Sequence, residues 1–264
     1  MNNTSIDWCD MSWNPVTGCL HGCDYCYARG IAHRFCGHYF GSGTGTNRVL
    51  HEKARRIQTD DSGQASAGKV EPFPYGFDPT FHRYRLEEPQ HMKKPQNIFV
   101  CSMADLFGRW VPVQWIRDVM DACAAAPWHR YMFLTKNPAR CLELDKIALL
   151  PYGEHFWYGS TVTDEDSVAM YPYRPNIRTF WSMEPLLGPV NLLKGAVGTP
   201  NWVIIGAETG KRKGKIVPCR EWVDDIASVC ADRGIPVFYK DSIRKLFRDL
   251  PESQFPWEES AHAN

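Results

Sequence analysis

Residues 97–105 read Asn-Ile-Phe-Val-Cys-Ser-Met-Ala-Asp, an apolar run that ends in polar residues. Such a run is typical of a strand that is buried on both faces of a parallel sheet. Similar short runs recur along the chain, at 130–134, 156–159, 178–182, 202–205 and 236–239. Together with a first strand near 13–17, they predict a sheet of about seven strands.

Helical patterns lie between several of these runs and are clearest at 113–125, 138–149 and 220–233. Strands that alternate with helices indicate βαβ units. We therefore expect an α/β fold, namely a partial or complete parallel (β/α) barrel of about six to seven strands. The length of 264 residues suits a single barrel domain over residues 1–264, with an irregular insertion at about 41–96.

Polar residues follow each of the apolar runs, where a buried core would not favour them. They are Ser102, Asp105, Thr135, Lys136, Ser160, Thr161, Thr163, Ser182, Glu184, Glu208, Thr209, Lys240 and Asp241. In α/β barrels the carboxyl ends of the strands meet at one mouth, where active sites lie. The sequence therefore predicts a polar cavity at that mouth.

Three cysteines form a compact motif, Cys19-x₃-Cys23-x₂-Cys26, directly after the first predicted strand. Iron–sulfur clusters are normally held by four cysteines, so a set of three leaves one iron of a [4Fe–4S] cube open to another ligand. An open coordination position is typical of a catalytic centre. Spacing alone also allows three reduced cysteines without metal, or a zinc site. A zinc site would take its fourth ligand from His21, His33, Cys36 or Cys9.

Composition places the chain among ordinary globular proteins, with 44% hydrophobic and 23% charged residues. We find no apolar stretch of membrane-spanning length and no secretory signal at the N-terminus, so we expect a cytoplasmic protein without membrane contact. The ten cysteines fit that compartment if they stay reduced or bind metal.

The formal net charge is zero, whereas a dedicated duplex-DNA binder would carry a basic excess. A nucleic-acid substrate would therefore need a local basic patch. Residues 211–215 form the dense basic run of the chain. We interpret them as a solvated loop, and contact with nucleic acid is the alternative.

Several sequence blocks carry a family resemblance. They are Trp13-Asn14-Pro15-Val16-Thr17-Gly18-Cys19, Cys26-Tyr27-Ala28, the runs 99–107, 133–136 and 158–162, Trp181-Ser182-Met183-Glu184-Pro185, and the runs 202–210 and 238–240. With the cysteine motif, they resemble a radical-SAM-like family that is frequent in phage and prophage genomes and has no assigned reaction. The likeness extends to the spore photoproduct lyase branch of the radical S-adenosylmethionine (SAM) superfamily. Gly206-Ala207-Glu208-Thr209-Gly210 departs mildly from the Gly-Gly-Glu-Ser-Gly of many members.

The resemblance implies two cofactors, a [4Fe–4S] cluster held by Cys19, Cys23 and Cys26, and SAM bound at the open iron. By the same resemblance, Tyr25 packs against the cluster and the adenine, and Ser102 and Asp105 receive the SAM amino group. Lys136 holds the SAM carboxylate, and Ser160 and Thr161 bind the ribose. Asp105 as a helix cap and Lys136 as a solvated lysine are the alternatives.

The implied activity is that of a radical SAM enzyme that draws electrons from an external donor. Glu184, Glu208 and Lys240 are the candidate catalytic residues that contact substrate, with a structural glutamate–lysine pair as the alternative. The candidate substrate is a nucleobase, a nucleotide or a nucleic acid, in the host cytoplasm if the chain is phage-encoded. The competing hypothesis is a non-catalytic zinc or iron–sulfur protein that acts as a partner module in phage or host nucleic-acid metabolism.

Overall fold

A computed structural model describes residues 1–36, 48–59, 65–167, 177–192 and 199–258. Within these ranges the strands are β1 (Asn2–Asn3), β2 (Met11–Trp13), β3 (Val16–Thr17), β4 (Arg48–Leu50), β5 (Arg55–Thr59), β6 (Ala65–Val70), β7 (Thr80–His82), β8 (Asn97–Val100), β9 (Arg130–Thr135), β10 (Phe156–Thr161), β11 (Arg178–Met183), β12 (Trp202–Ile205) and β13 (Val237–Tyr239). The α-helices are α1 (Tyr27–Phe35), α2 (Glu88–His91), α3 (Val113–Ala124), α4 (Pro138–Lys146), α5 (Arg220–Asp232) and α6 (Asp241–Arg244).

The main sheet has eight strands in the order β1-β2-β8-β9-β10-β11-β12-β13. Strand β1 pairs antiparallel with β2, and every other neighbouring pair is parallel. Six of the predicted apolar runs are confirmed as β8 to β13. The first predicted strand is divided, because β2 joins this sheet while β3 pairs with β7 in a small second sheet of order β3-β7-β4.

The expected (β/α) barrel is wrong, because the large sheet is open and its helices do not alternate regularly with strands. Between β10 and β11 the described residues form only a 3₁₀ turn, Glu165–Ser167. The physical reason for the open sheet lies at its edges. Strand β1 occupies the free side of β2, and the C-terminal segment covers β13, where Gln254 N donates to Val237 O at 2.9 Å. Both edges that a barrel would join are therefore taken.

The two faces of the main sheet bury different side chains, as strand alternation requires. One face packs on α3, α4 and α5 through residues such as Ile98, Tyr131 and Val203. The other face carries an aromatic cluster in which Trp8 contacts Phe99, Phe180 and Trp202 on one side. C-terminal Phe255 and Trp257 pack on Trp202 as well. A parallel sheet is stable when both faces are covered.

The chain between α1 and β8 contains the hairpin β5–β6 and the strands β4 and β7. Its residues Phe73 and Phe77 pack with Ala28 and Ala32 of α1. This part of the chain therefore supports the segment that bears the cysteine motif. No α-helix of the described ranges is long and apolar enough to cross a bilayer.

Gly159 is the position at which the aromatic face tolerates no side chain. A Cβ atom there would lie 2.3 Å from Phe180 Cζ. We predict that Gly159→Ala lowers the free energy of unfolding by about 1–3 kcal/mol, because an overpacked core forces neighbouring rings to move. Urea unfolding at constant m-value measures the change.

Gly30→Ala is the matched control, since a Cβ atom at this helical glycine meets no heavy atom within 4 Å. Alanine should leave stability unchanged or raise it by up to about 1 kcal/mol. Equal unfolding midpoints for Gly159→Ala and the unchanged protein would contradict the packing argument.

Candidate functional site

A cavity of about 190 Å³ lies at the carboxyl ends of the parallel strands. Strand-end residues Leu134, Thr161, Ser182 and Lys240 form part of its wall. Thr161 and Ser182 are register partners on β10 and β11, so their side chains share a face of the sheet. Ligands of open α/β sheets bind beyond the carboxyl ends of the strands. We call this space the inner cavity.

The cysteine motif borders the inner cavity, since Cys19, Cys23 and Cys26 all line it. Gly18 stands directly before the motif, and its φ of +86° lies in the left-handed region. A Cβ atom on Gly18 would lie 2.2 Å from Asp78 O, so only glycine allows this close approach. Gly18 N donates to Met103 O at 2.9 Å and Cys19 N to Phe77 O at 3.1 Å. The first cysteine is thus fixed between two loops.

The three thiols differ in their surroundings. Burial raises the pKa of the Cys19 thiol to about 11, so it is protonated at neutral pH. Cys26 begins α1, and its Sγ accepts a hydrogen bond from Arg29 N at 3.4 Å. None of the ten cysteines forms a disulfide bond.

Asp105 joins the cysteine motif to two strand ends. Its Oδ2 lies 2.6 Å from Nε2 of His21, a residue between the first two cysteines. The same oxygen accepts Lys136 N at 2.9 Å, and Oδ1 accepts Phe107 N at 3.0 Å. Both carboxylate oxygens are therefore engaged within the protein. The predicted contact of Asp105 with the SAM amino group would have to share these partners.

Lys136 and Tyr25 form one wall of the inner cavity. The Lys136 ammonium lies 5.2 Å from the centroid of the Tyr25 ring, within the range of a cation–π contact. Burial lowers the pKa of Lys136 below its ordinary value. Among the described residues no carboxylate lies within ion-pair distance of its ammonium, so this cation is available to an anionic ligand.

Glu184 and Lys240 form an ion pair at the edge of the inner cavity, with Lys240 Nζ 2.7 Å from Glu184 Oε2. Asp7 Oδ1 lies 3.6 Å from the same ammonium. Gly206 makes this arrangement possible, because a Cβ atom there would lie 3.0 Å from Lys240 Cδ and 3.2 Å from Glu184 Cγ. Lys240 thus pairs with Glu184 and not with Glu208, which pairs with Arg212.

Glu208 is held by an arginine fork. Arg212 Nε and Nη2 each donate to one carboxylate oxygen of Glu208, both at 2.7 Å. The Glu208 side chain is only 2% exposed, and these hydrogen bonds lower its pKa below the ordinary carboxyl value. A buried carboxylate requires such a partner.

Two predicted serines fall on different sides of the site. Ser102 lines the inner cavity, and its Oγ donates to Asn14 Oδ1 at 3.2 Å. Ser160 is fully buried and does not line this cavity, whereas the next residue, Thr161, does. The inner cavity therefore brings together eleven of the predicted site residues: Cys19, Cys23, Tyr25, Cys26, Ser102, Asp105, Lys136, Thr161, Glu184, Glu208 and Lys240.

The structure corrects the prediction of a metal-binding group. Across the described ranges, no three histidine, cysteine, aspartate or glutamate side chains are placed to hold one metal ion. The prediction of a ready-formed metal-binding or iron–sulfur group is therefore wrong, as is the prediction of a TIM barrel. The three thiols share a cavity wall without converging on one point.

Four residues that shape the site carry little signal for that role in the sequence. His21 was considered only as a zinc ligand, and Arg212 only as part of a solvated basic run, although it stands four residues after Glu208. Ser182 was one of many polar strand ends, and its hydroxyl makes no hydrogen bond within the part of the chain that the structure describes. Asp7 gave no signal, because its contact with Lys240 spans most of the chain.

A second cavity of about 550 Å³ adjoins the first. The two share lining residues, among them Ile6, Tyr27, Glu184, Glu208 and Lys240. We call it the outer cavity. The joined space lies within the range of about 300–1,000 Å³ that is typical of small-molecule sites.

Comparison with known proteins gives one match. The profile of a family described as a protein of unknown function, DUF5131, matches residues 3–245. No curated protein and no solved structure matches the chain.

Arg212→Gln should raise the pKa of Glu208, because burial is then no longer opposed by the guanidinium. A lowered carboxyl pKa adds stability above the unfolded-state value and loses it as the pH falls through the folded-state value. The free energy of unfolding of the unchanged protein should therefore exceed that of Arg212→Gln by the full amount near neutral pH. This difference should vanish below about pH 4.

Carboxyl ¹³C NMR titration of Glu208 measures this shift. The exposed Arg233 provides the control Arg233→Gln. An unaltered Glu208 titration in Arg212→Gln would contradict the assigned role of the fork.

Proposed function

Because the chain belongs to the DUF5131 family, whose function is unknown, we propose its function from its own site. The chain is a radical SAM enzyme, which cleaves S-adenosylmethionine reductively and begins radical chemistry on a bound substrate. One observation carries this proposal. A single cavity is lined by all three cysteines of the motif and by Lys136, Thr161 and Ser182 at the strand ends.

The donor set fits a [4Fe–4S] cluster held by Cys19, Cys23 and Cys26. Each thiolate of such a set binds a different iron, so the donors must share a cavity wall but need not converge on one ion. When bound, such a cluster would supply the single electron for reductive cleavage of the sulfur–C5′ bond of SAM, and with it the means to begin radical chemistry on the substrate. The ligands must lose their protons first, which for Cys19 opposes the effect of burial.

Lys136 would bind the SAM carboxylate. Its ammonium lies beside the cysteine motif and has no carboxylate partner among the described residues, and a charge-assisted hydrogen bond is stronger than a neutral one. Tyr25 holds the ammonium in place from one side. The Asp105–His21 contact fixes the cysteine motif relative to Lys136, because Asp105 also accepts the Lys136 backbone amide.

Thr161 and Ser182 would bind the SAM ribose. They are register partners at the inner cavity, and the Ser182 hydroxyl, only 1% exposed, has no protein partner in the described part of the chain. A buried hydroxyl without a partner is costly unless a ligand satisfies it. The Ser160 hydroxyl also lacks a hydrogen-bond partner among the described residues, but Ser160 does not line the inner cavity, so Ser182 takes its place in the assignment.

Glu184, Lys240 and Glu208 would position the substrate at the junction of the two cavities. The Glu184–Lys240 pair can orient a polar substrate group without adding net charge to the cavity. The proposal further includes a cytoplasmic location, in keeping with ten cysteines that form no disulfide bond, and an external electron donor. Its substrate is a nucleobase, a nucleotide or a nucleic acid.

The competing hypothesis is a non-catalytic zinc or iron–sulfur protein that acts as a partner module, and the site favours it less. A single zinc ion needs ligands that converge on one point, and the described residues do not offer such a group. A structural metal site also gives no reason for a polar cavity at the strand ends.

The first test is the formation of 5′-deoxyadenosine. The protein is purified without oxygen, reconstituted with iron and sulfide, and given SAM and dithionite. We expect 5′-deoxyadenosine by liquid chromatography, and none above the blank from Cys23→Ala, since one thiolate of the set is lost. The exposed Cys219 gives the control Cys219→Ala, which should retain the product. A colourless protein with one tightly bound zinc would refute the proposal.

Lys136→Ala should weaken SAM binding about tenfold while the iron content stays unchanged, because one charge-assisted contact is lost. Anaerobic calorimetry measures the affinity, and Lys94→Ala at the amino end of β8 is the control. Equal SAM affinities for Lys136→Ala and the unchanged protein would show that the carboxylate is held elsewhere.

A further inference from the structure

The outer cavity differs from the inner one in the balance of its charges. At the junction the charges are paired, Glu184 with Lys240 and Glu208 with Arg212. At the opening, Lys215 and Lys245 line the cavity, and among the described residues neither pairs with a carboxylate. The carboxylates at this side are Asp241 and Asp7.

These two carboxylates equal Lys215 and Lys245 in number, so any excess of positive charge comes from the neighbouring residues. Asp7 accepts the Asp241 backbone amide at 2.7 Å through Oδ2, and its Oδ1 faces Lys240. Exposed Lys211 and Lys213 belong to the same loop as Lys215 and add two further cations close by. With these two exposed lysines counted, cationic groups outnumber carboxylates at this side, although the whole chain has no net charge. Such a local patch attracts anions.

Apolar side chains lie beside these lysines. Ile216, Val217 and Leu246 line the outer cavity and are 40%, 56% and 42% exposed. Exposed apolar side chains that cluster at a cavity mark a binding surface rather than a stable free surface. A ligand that satisfies both features has an anionic group attached to an apolar or aromatic body.

Hydroxyl donors complete the site. Ser5, Thr209 and Ser242 line the outer cavity. Ser242 Oγ accepts Ala207 N at 3.0 Å, so its own proton remains to be donated to a ligand. Several separate ammonium and hydroxyl donors suit the many oxygens of a phosphate, since lysine binds phosphate as a point charge. The neighbouring arginine fork, which suits a carboxylate, is already engaged by Glu208.

We propose that the outer cavity binds the phosphate ester of a nucleotide or of a single nucleic-acid strand, with Lys215 and Lys245 on the phosphate and Val217 and Leu246 against the base or sugar. As the substrate site of a radical SAM enzyme, it rests on the proposed function. The phosphate stays at the opening, and the base or sugar can reach the inner cavity past Glu184 and Glu208. Residues 211–215, interpreted from sequence as a solvated loop, thereby acquire a ligand.

The test is fluorescence anisotropy with a labelled single-stranded DNA of mixed sequence, using the full chain. The double variant Lys215→Ala/Lys245→Ala should bind about tenfold more weakly. The slope of log affinity against log salt should fall by about 1.4, as expected for two lost phosphate contacts on a single strand. Lys94→Ala, at the opposite end of the sheet, is the matched control and should bind as the unchanged protein does.

Two competition arms separate the sources of the phosphate. Displacement by a nucleoside monophosphate as effective as by an unlabelled strand identifies a nucleotide site, and displacement by the strand alone identifies a nucleic-acid site. The double variant Val217→Ser/Leu246→Ser should bind both ligands more weakly than the unchanged protein does. Displacement by polyglutamate equal to that by the strand would overturn the proposal, as would unchanged affinity in the double lysine variant.

This binding assay is independent of SAM cleavage. Lysine-dependent binding without 5′-deoxyadenosine in the reconstituted protein would refute the radical SAM activity and retain the phosphate site. Formation of 5′-deoxyadenosine without lysine-dependent binding would refute the phosphate site alone. Far-UV circular dichroism confirms that the surface variants are folded, and Lys215→Glu/Lys245→Glu should weaken binding further than the alanine variants.

Discussion

The carboxylate of Asp105 is the interaction on which the geometry of the site depends. It accepts hydrogen bonds from the Lys136 amide at the end of β9 and from the Phe107 amide of its own loop. It also contacts the His21 ring of the cysteine motif. Three separate chain segments are thus fixed by one side chain that is nearly buried. Because a hydrogen bond to a charged acceptor is stronger than a neutral one, the cysteine motif and the lysine keep a defined spacing. Asp105 acts here as a positioning residue.

A second constraint comes from the parallel sheet, which needs cover on both faces and at both edges. Helices α3, α4 and α5 cover one face, and Trp8 with the C-terminal aromatic residues covers the other. The terminal segments also occupy the edges, at β2 and at β13. The carboxyl ends of the strands are left without such cover on the aromatic face, and both cavities lie there. The site is thus a consequence of how the sheet is enclosed.

Local sequence pattern was enough to locate the strands β8 to β13 and the polar residues that follow them. It could not predict closure, because closure depends on which segment pairs with β13, and Gln254 lies far along the chain from the first strand. It also could not choose between Ser160 and Thr161, since adjacent strand residues face opposite sides and a single step decides which lines the cavity. Asp7 gave no local signal, because its partner Lys240 is distant in sequence. Long-range pairing, rather than local preference, accounts for these gaps.

The distribution of charge divides the site into two functional regions. In the inner cavity Lys240 is neutralised by Glu184, so Lys136 is the lining cation that lacks a carboxylate partner within the described residues. At the outer cavity, Lys215 and Lys245 form no ion pair with a carboxylate of the described ranges. The paired groups Glu184, Lys240, Glu208 and Arg212 stand between these two regions and keep them electrically separate. Under the two proposals, a ligand carboxylate lies at the cysteine motif and a phosphate at the opening, so the two anionic groups do not compete for one cation.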